Sequence, residues 1–174
     1  FKANELKDLV SFLKTLDNRE KIHIIGAGSN TLITDDTYDG IVVKLGKNFN
    51  RLSKLNSNII ISGAAVLDKK LAEYAAENSL SGFEFLACIP GTIGGGLKMN
   101  AGCFGAEIKD ILVSIQAVDK KGNILTIPAT KINFDYRNND LSDDLIFLSA
   151  SFKGEKQNTQ KILEKMSKLK AEKD

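Results

Sequence analysis

Leu6, Leu9, Val10, Leu13 and Leu16 recur three or four positions apart, which lines one face of a helix over 5–16. Lys21–Ile25 is short, rich in isoleucine and followed at once by Gly26, so it predicts a strand entering a turn. Ile41–Leu45, set between Gly40 and Gly46, and Asn58–Ser62 predict two more strands. A helical period returns over Leu67–Asn78, with Leu67, Leu71, Tyr74 and Ala75 as the expected inner face. Residues 89–105, IPGTIGGGLKMNAGCFG, hold six glycines and carry no long helical or strand period. Beyond them Ile111–Val118 and Ile124–Ile127 flank Lys120-Lys121-Gly122-Asn123, the signature of an antiparallel hairpin. Leu145–Phe152 predicts a further strand, and Thr159–Ala171 a last helix with Ile162, Leu163, Met166 and Leu169 inward.

Helices and strands alternate early, and strands run together later. That order predicts an α+β chain in two lobes. The polar stretch Asn48–Ser57 marks the expected boundary. Residues 1–55 then form a small α/β lobe, and 56–174 a larger α+β lobe on an antiparallel sheet.

With 174 residues, 43% of them hydrophobic, the chain can bury one full core or two small ones sharing a face. Lys and Arg number 24 against 22 acidic residues, and the net charge of +2 lacks the basic stripe of a general nucleic-acid binder. Nucleic acid is therefore not an expected partner. The basic run Lys161–Lys173 is interleaved with Glu164 and Glu172 and reads as a solvated helix face. No apolar run approaches the roughly 18 residues of a membrane span, so no membrane association is expected. No signal peptide is read, although the chain begins at Phe1 rather than Met. The single histidine, His23, lies in an apolar run; it reads as a core residue, and a His-rich metal site is excluded. Cys88 and Cys103 are too far apart for a zinc knuckle and read as free thiols of a cytoplasmic protein.

Gly26-Ala27-Gly28-Ser29-Asn30 follows a predicted strand and invites comparison with a dinucleotide fingerprint. That fingerprint needs a third glycine three positions after the second, where a helix opens. Position 31 is Thr and no helical pattern follows, so the Rossmann reading fails. No Gly-Lys-Ser/Thr follows either, which rules out a P-loop. Glycine-flanked N–H groups with Ser and Asn donors suit a phosphate, and the same letters suit a tight turn. Taken alone, the loop leaves both open.

The second glycine run is harder to read as a plain connection. Each glycine costs about 0.5–1 kcal/mol on ordering relative to Ala in regular structure, so something must pack closely against the main chain. A flat cofactor ring would do so, and so would a crossing between packed lobes.

Read together, GAGSN at 26–30, IPGTIGG at 89–95 with MNAGCFGAEIKD at 99–110, and FDYRNN at 134–139 resemble the UDP-N-acetylenolpyruvoylglucosamine reductases in order and spacing. The resemblance runs from about Lys21 to Phe152. It implies the FAD-binding fold of the vanillyl-alcohol-oxidase/PCMH type, in which two α+β subdomains clasp FAD. On this resemblance Gly26, Ala27, Gly28, Ser29 and Asn30 wrap the FAD pyrophosphate. Ile89, Pro90, Gly91, Thr92, Gly94, Gly95, Asn100, Ala101 and Gly102 run past flavin and pyrophosphate, with Gly105, Glu107 and Ile108 in the same motif.

Arg137 corresponds to the family's electrophilic arginine and Tyr136 to its substrate-holding neighbour. An ion pair from Arg137 to Asp140 or Asp144 is the plainer alternative for that arginine. The implied chemistry is reduction of non-covalent FAD by NADPH and of UDP-N-acetylenolpyruvoylglucosamine to UDP-N-acetylmuramate. The implied setting is peptidoglycan precursor synthesis by a monomer in the bacterial cytoplasm. The family's C-terminal substrate domain, with its proton-donating serine and supporting glutamate, has no counterpart before Asp174, so this chain alone is expected to be inactive. Another FAD-dependent oxidase or dehydrogenase of the same fold, or a glycine-rich module without cofactor, are the competing readings.

Overall fold

The computed structural model describes every residue except Asn18 and Asp174. Lys2–Ala3, Ile41–Leu45 and Ile22–Ile25 form a parallel three-stranded sheet in that spatial order. Helix α1, Leu6–Leu13, covers one face of it with Leu9 and Leu13. This helix is shorter than the periodicity suggests because Thr15 turns back, its amide and hydroxyl both donating to the Phe12 carbonyl. The second sheet is antiparallel, in the order Ile124–Pro128, Leu112–Val118, Ile146–Lys153, Ile59–Gly63, Leu52–Lys54. The expected hairpin is its first pair, with Ile124 opposite Val118. The backbone crosses from one sheet to the other between Leu45 and Leu52, ahead of the expected 55/56 division.

Helices α2, Asp68–Glu77, and α4, Thr159–Lys173, pack over the larger sheet. The larger core gathers Ile60, Leu71, Ile115, Phe147, Ala150 and Phe152, and the smaller one Leu9, Leu13, Val43, Val118, Ile146 and Leu148. The strand Ile146–Lys153 thus feeds both. In a regular strand alternate residues share a face, so Ile146, Leu148, Ala150 and Phe152 would all point one way. A register shift between Phe147 and Ser149 leaves Leu148 as an extra residue and swaps the faces beyond it.

Four expectations change. Leu67 is 42% exposed because it precedes α2 in extended backbone and bridges Thr92, which rotates Asp68 rather than Leu67 inward. On α4 only Ile162 and Met166 are buried; Leu163 is exposed and Leu169 half-buried, so a narrower stripe touches the core. His23 is exposed, not in the core: Ile22 and Ile24 take the covered face of the small sheet, and His23 on the other meets the Tyr38 ring edge-on at 6.3 Å. Finally, the glycine run contains a short helix, α3, Ile93–Lys98. Among the described residues, no helix is long and apolar enough to cross a membrane.

Candidate functional site

The two glycine loops meet. Ser29 Oγ donates to the Pro90 carbonyl at 2.8 Å, across 61 positions of sequence. A Cβ on Gly26 would collide with the Thr92 hydroxyl, so only glycine admits this approach. Gly28 turns the first loop with φ +75°, a conformation that glycine adopts without strain. The N–H groups of Ala27, Gly28, Ser29, Asn30, Gly91 and Thr92 donate to no other group among the described residues. Backbone donors gathered on irregular chain and left open to a ligand are what a phosphate requires. We call this junction the seam.

Helix α3 leads away from the seam. Its first two amides are tied down, Ile93 N–H to the Val66 carbonyl and Gly94 N–H to that of Ala64. Gly95, on its outer side, is exposed and meets only Thr92 Oγ1 within 4 Å of an added Cβ, at 3.7 Å. Ile89, half-buried, packs against the larger core.

Past α3 lies a cleft of about 430 Å³, lined among others by Gly102, Glu107, Lys109, Tyr136 and Arg137. Tyr136 and Arg137 form the turn between the paired segments Phe134–Asp135 and Asn138–Asn139. Arg137 has φ +54°, uncommon for a residue with a side chain. Its guanidinium donates to the carbonyls of Asn100, at 3.3 Å, and Gly102, at 2.9 Å, with its Cζ 5.1 Å from the Tyr136 ring centroid. No ion pair joins it to Asp140 or Asp144: Asp140 accepts from Asn133, and Asp144 pairs with Lys120.

Asn100, itself at φ +40° and fully buried, is the hub of this corner. Its amide nitrogen donates to Glu107 Oε2 and to the Asp135 carbonyl, and its oxygen accepts from Lys109 N–H. Left-handed backbone persists where the surroundings over-determine it, and Asn100 and Arg137 are each held by several bonds. Lys109 hydrogen-bonds Glu107 and, with the Asn100 amide and Arg137, holds the Glu107 carboxyl below the usual range. Lys109 is paired with Glu107 and Asp110 also lines the cleft, so Arg137 is the lining cation left to meet an anionic ligand.

Asp68, which the helical pattern had left unassigned, lies beneath the seam. Its side chain is 0% exposed, and neither carboxylate oxygen has a hydrogen-bond partner among the described residues. Burial pushes its carboxyl up to about 7 against a weaker pull from its own backbone N–H.

Gly26–Asn30 and Pro90–Thr92 thus come together at one place, and Asn100–Gly102 with Tyr136 and Arg137 at another, joined by Gly94 and Gly95 of α3. Sequence reasoning missed the Lys109 contribution and Asp68. The motif MNAGCFGAEIKD contained Lys109, whereas nothing near Asp68 signalled its burial.

The sequence matches the family described as FAD binding domain over residues 1–128. Over its whole length it is 62% identical to the UDP-N-acetylenolpyruvoylglucosamine reductase of Pelagibacter ubique, and it spans 58% of that curated relative. It is similar in structure to the UDP-N-acetylenolpyruvylglucosamine reductase of Thermus caldophilus, with a TM-score of 0.84 and 25% identity over 98% of this chain and 60% of the other. CO dehydrogenase of Oligotropha carboxidovorans shares the fold, with a TM-score of 0.63 and 13% identity over 88% and 58% of the two chains. The fold is therefore the α+β FAD-binding fold of the vanillyl-alcohol-oxidase/PCMH type. With open amides at a glycine seam, an arginine-lined cleft beyond it, and most of its length matched, the chain belongs to the FAD-binding domain family.

Proposed function

We propose that this chain is the flavin-holding part of an NADPH-dependent reductase that converts UDP-N-acetylenolpyruvoylglucosamine to UDP-N-acetylmuramate. The observation that carries the reading is Arg137, bonded through its guanidinium to the loop that continues from the flavin seam. The open amides of Ala27–Asn30, Gly91 and Thr92 hold the pyrophosphate of non-covalent FAD, and the bare outer side of α3 at Gly95 leaves room beside it. FAD bound there would supply the hydride chemistry that links NADPH to the enolpyruvyl group.

As hydride adds, negative charge builds on the enolpyruvyl carboxylate. Arg137 answers it with N–H groups that its two carbonyl bonds leave over, already aimed and always protonated. Lys109 holds Glu107 in an ion pair beside Arg137, and the exposed Tyr136 hydroxyl holds substrate. The serine that protonates the product and its supporting glutamate come from outside this chain. The two flavin-binding subdomains are the parts built on the parallel and the antiparallel sheet, which divide between Leu45 and Leu52. The enzyme works as a monomer in the bacterial cytoplasm, free of membrane and nucleic acid, where cell-wall precursor supply supports cell shape and division.

A visible spectrum tests this directly. The purified chain, mixed with FAD and desalted, is expected to stay yellow, and NADPH to bleach it in the enzyme that carries this chain. A colourless protein, or bound flavin indifferent to NADPH, would overturn the reading. Steady turnover by residues 1–174 alone would overturn the assignment of the acid to another part.

A further inference from the structure

We propose that Asp68 takes up a proton together with the flavin nucleotide: as a neutral acid beneath the Pro90–Thr92 turn it tolerates the pyrophosphate, and as a carboxylate it repels it. The inference rests on the seam being the pyrophosphate site.

Three observations converge on Asp68. First, the second glycine loop is bare where it crosses this side chain. A Cβ on Gly91 would stand 2.9 Å from Asp68 Oδ2 and 3.9 Å from Ser29 Oγ, and one on Gly96 would stand 3.1 Å from Oδ1. The space that Gly91 leaves empty therefore lies between the carboxyl group and the first loop. Second, the carboxylate is fully buried and unpartnered, a condition that costs a charged group heavily and a neutral acid much less.

Third, no cation among the described residues offsets it. On its own helix Lys69 and Lys70 are exposed, and Lys69 pairs with Glu73. Lys98, at the end of α3, pairs with Asp143. Glu84, from the neighbouring segment, is held by Ser81, Gly82 and Lys165. Among the described residues, Gly91 and Gly96, which lie against its carboxyl oxygens, and Ser29 beyond Gly91 are not titratable.

A nucleotide pyrophosphate brings two negative charges and only acceptor oxygens. A second negative group nearby favours the protonated acid further, even with the carboxyl kept out of direct contact by the turn above it. Since Asp68 titrates at about 7 rather than in the usual carboxylate range, the effect falls near neutral pH. The sign is fixed by linkage: if the bound state holds the proton more tightly, binding takes up protons and weakens as pH rises through the free-state value.

The test is FAD titration calorimetry on the chain and on Asp68→Asn, at pH 5 and pH 8, in buffers of different ionisation enthalpy. The native chain is expected to take up roughly one proton at pH 8 and almost none at pH 5, its Kd rising about tenfold per pH unit above 7. Asp68→Asn should take up none and bind equally at both. Riboflavin, which has no pyrophosphate, should bind the native chain without proton uptake, and that comparison needs no variant to fold. FAD binding with no uptake at pH 8, equal uptake by Asp68→Asn, or equal uptake with riboflavin would overturn the role of Asp68 alone. Failure of the native chain to bind FAD at either pH would overturn the seam reading with it.

Discussion

Arg137 is fixed by geometry that another cation cannot reproduce. A planar fork reaches the Asn100 and Gly102 carbonyls together, whereas an ammonium carries its donors on a single atom. Arg137→Lys is expected to lower kcat by about 10²–10³-fold in the enzyme that carries this chain, the usual cost of one misplaced charge-stabilising donor. Retention of flavin through desalting should be unchanged, because the seam amides are untouched; loss of flavin would show that Arg137 serves the cofactor instead. The motif identified Arg137 in the sequence, but its anchors stand 37 and 35 positions upstream, beyond the reach of any local pattern. Asp68 was hidden for a similar reason. Its burial follows from the Leu67–Thr92 bridge, and the helical period around it favoured Leu67 as the inward residue.

Helix α3 illustrates how composition can mask an element. Three consecutive glycines weigh against a helix by about 1 kcal/mol each relative to Ala, and the sequence accordingly predicts irregular chain there. Tertiary bonds from Ile93 and Gly94 to Val66 and Ala64 start the helix regardless. The longer amphipathic helices and the hairpin were readable because their apolar periods match the buried faces, apart from the ends and the rotated face of α2. The glycines of α3 should then differ sharply. Gly95→Ala, with its ordinary 3.7 Å contact, is expected to stabilise the apoprotein by up to about 1 kcal/mol in urea unfolding while weakening FAD binding. Gly94→Ala would press 3.1 Å onto Ala64 Cβ and 3.2 Å onto its carbonyl oxygen, and should cost about 1–3 kcal/mol. Unchanged FAD affinity in Gly95→Ala would place the cofactor on some other side of α3.

Two neighbouring strands tie the lobes, Ile146–Lys153 and, through Val118, Leu112–Val118. Ile146 and Leu148 enter the smaller core while Phe147, Ala150 and Phe152 enter the larger, and the extra residue at Leu148 makes the exchange. Leu148→Ala should therefore cost about 2–5 kcal/mol and destabilise both lobes together, as a single transition seen by hydrogen exchange in α1 and in α2 alike. Two separated transitions would mean that the lobes fold independently. The α+β plan in two lobes could be read from the order of elements, but the face swap in this strand could not, because it begins within the apolar stretch Ile146-Phe147-Leu148, and Ile146, Leu148, Ala150 and Phe152 read as one unbroken alternation. The same tie governs how a long nucleotide can get in. Prising the halves apart would pull Leu148 and Val118 out of a shared core, so the lobes are a poor hinge. Residues 27–39, by contrast, make no backbone hydrogen bond to the rest of the described chain, and Leu32 and Ile33 stand 97% and 74% exposed. The expected way in is past this strap, over a frame that stays shut, so that cofactor capture would be paced by how fast one loop lifts off Pro90.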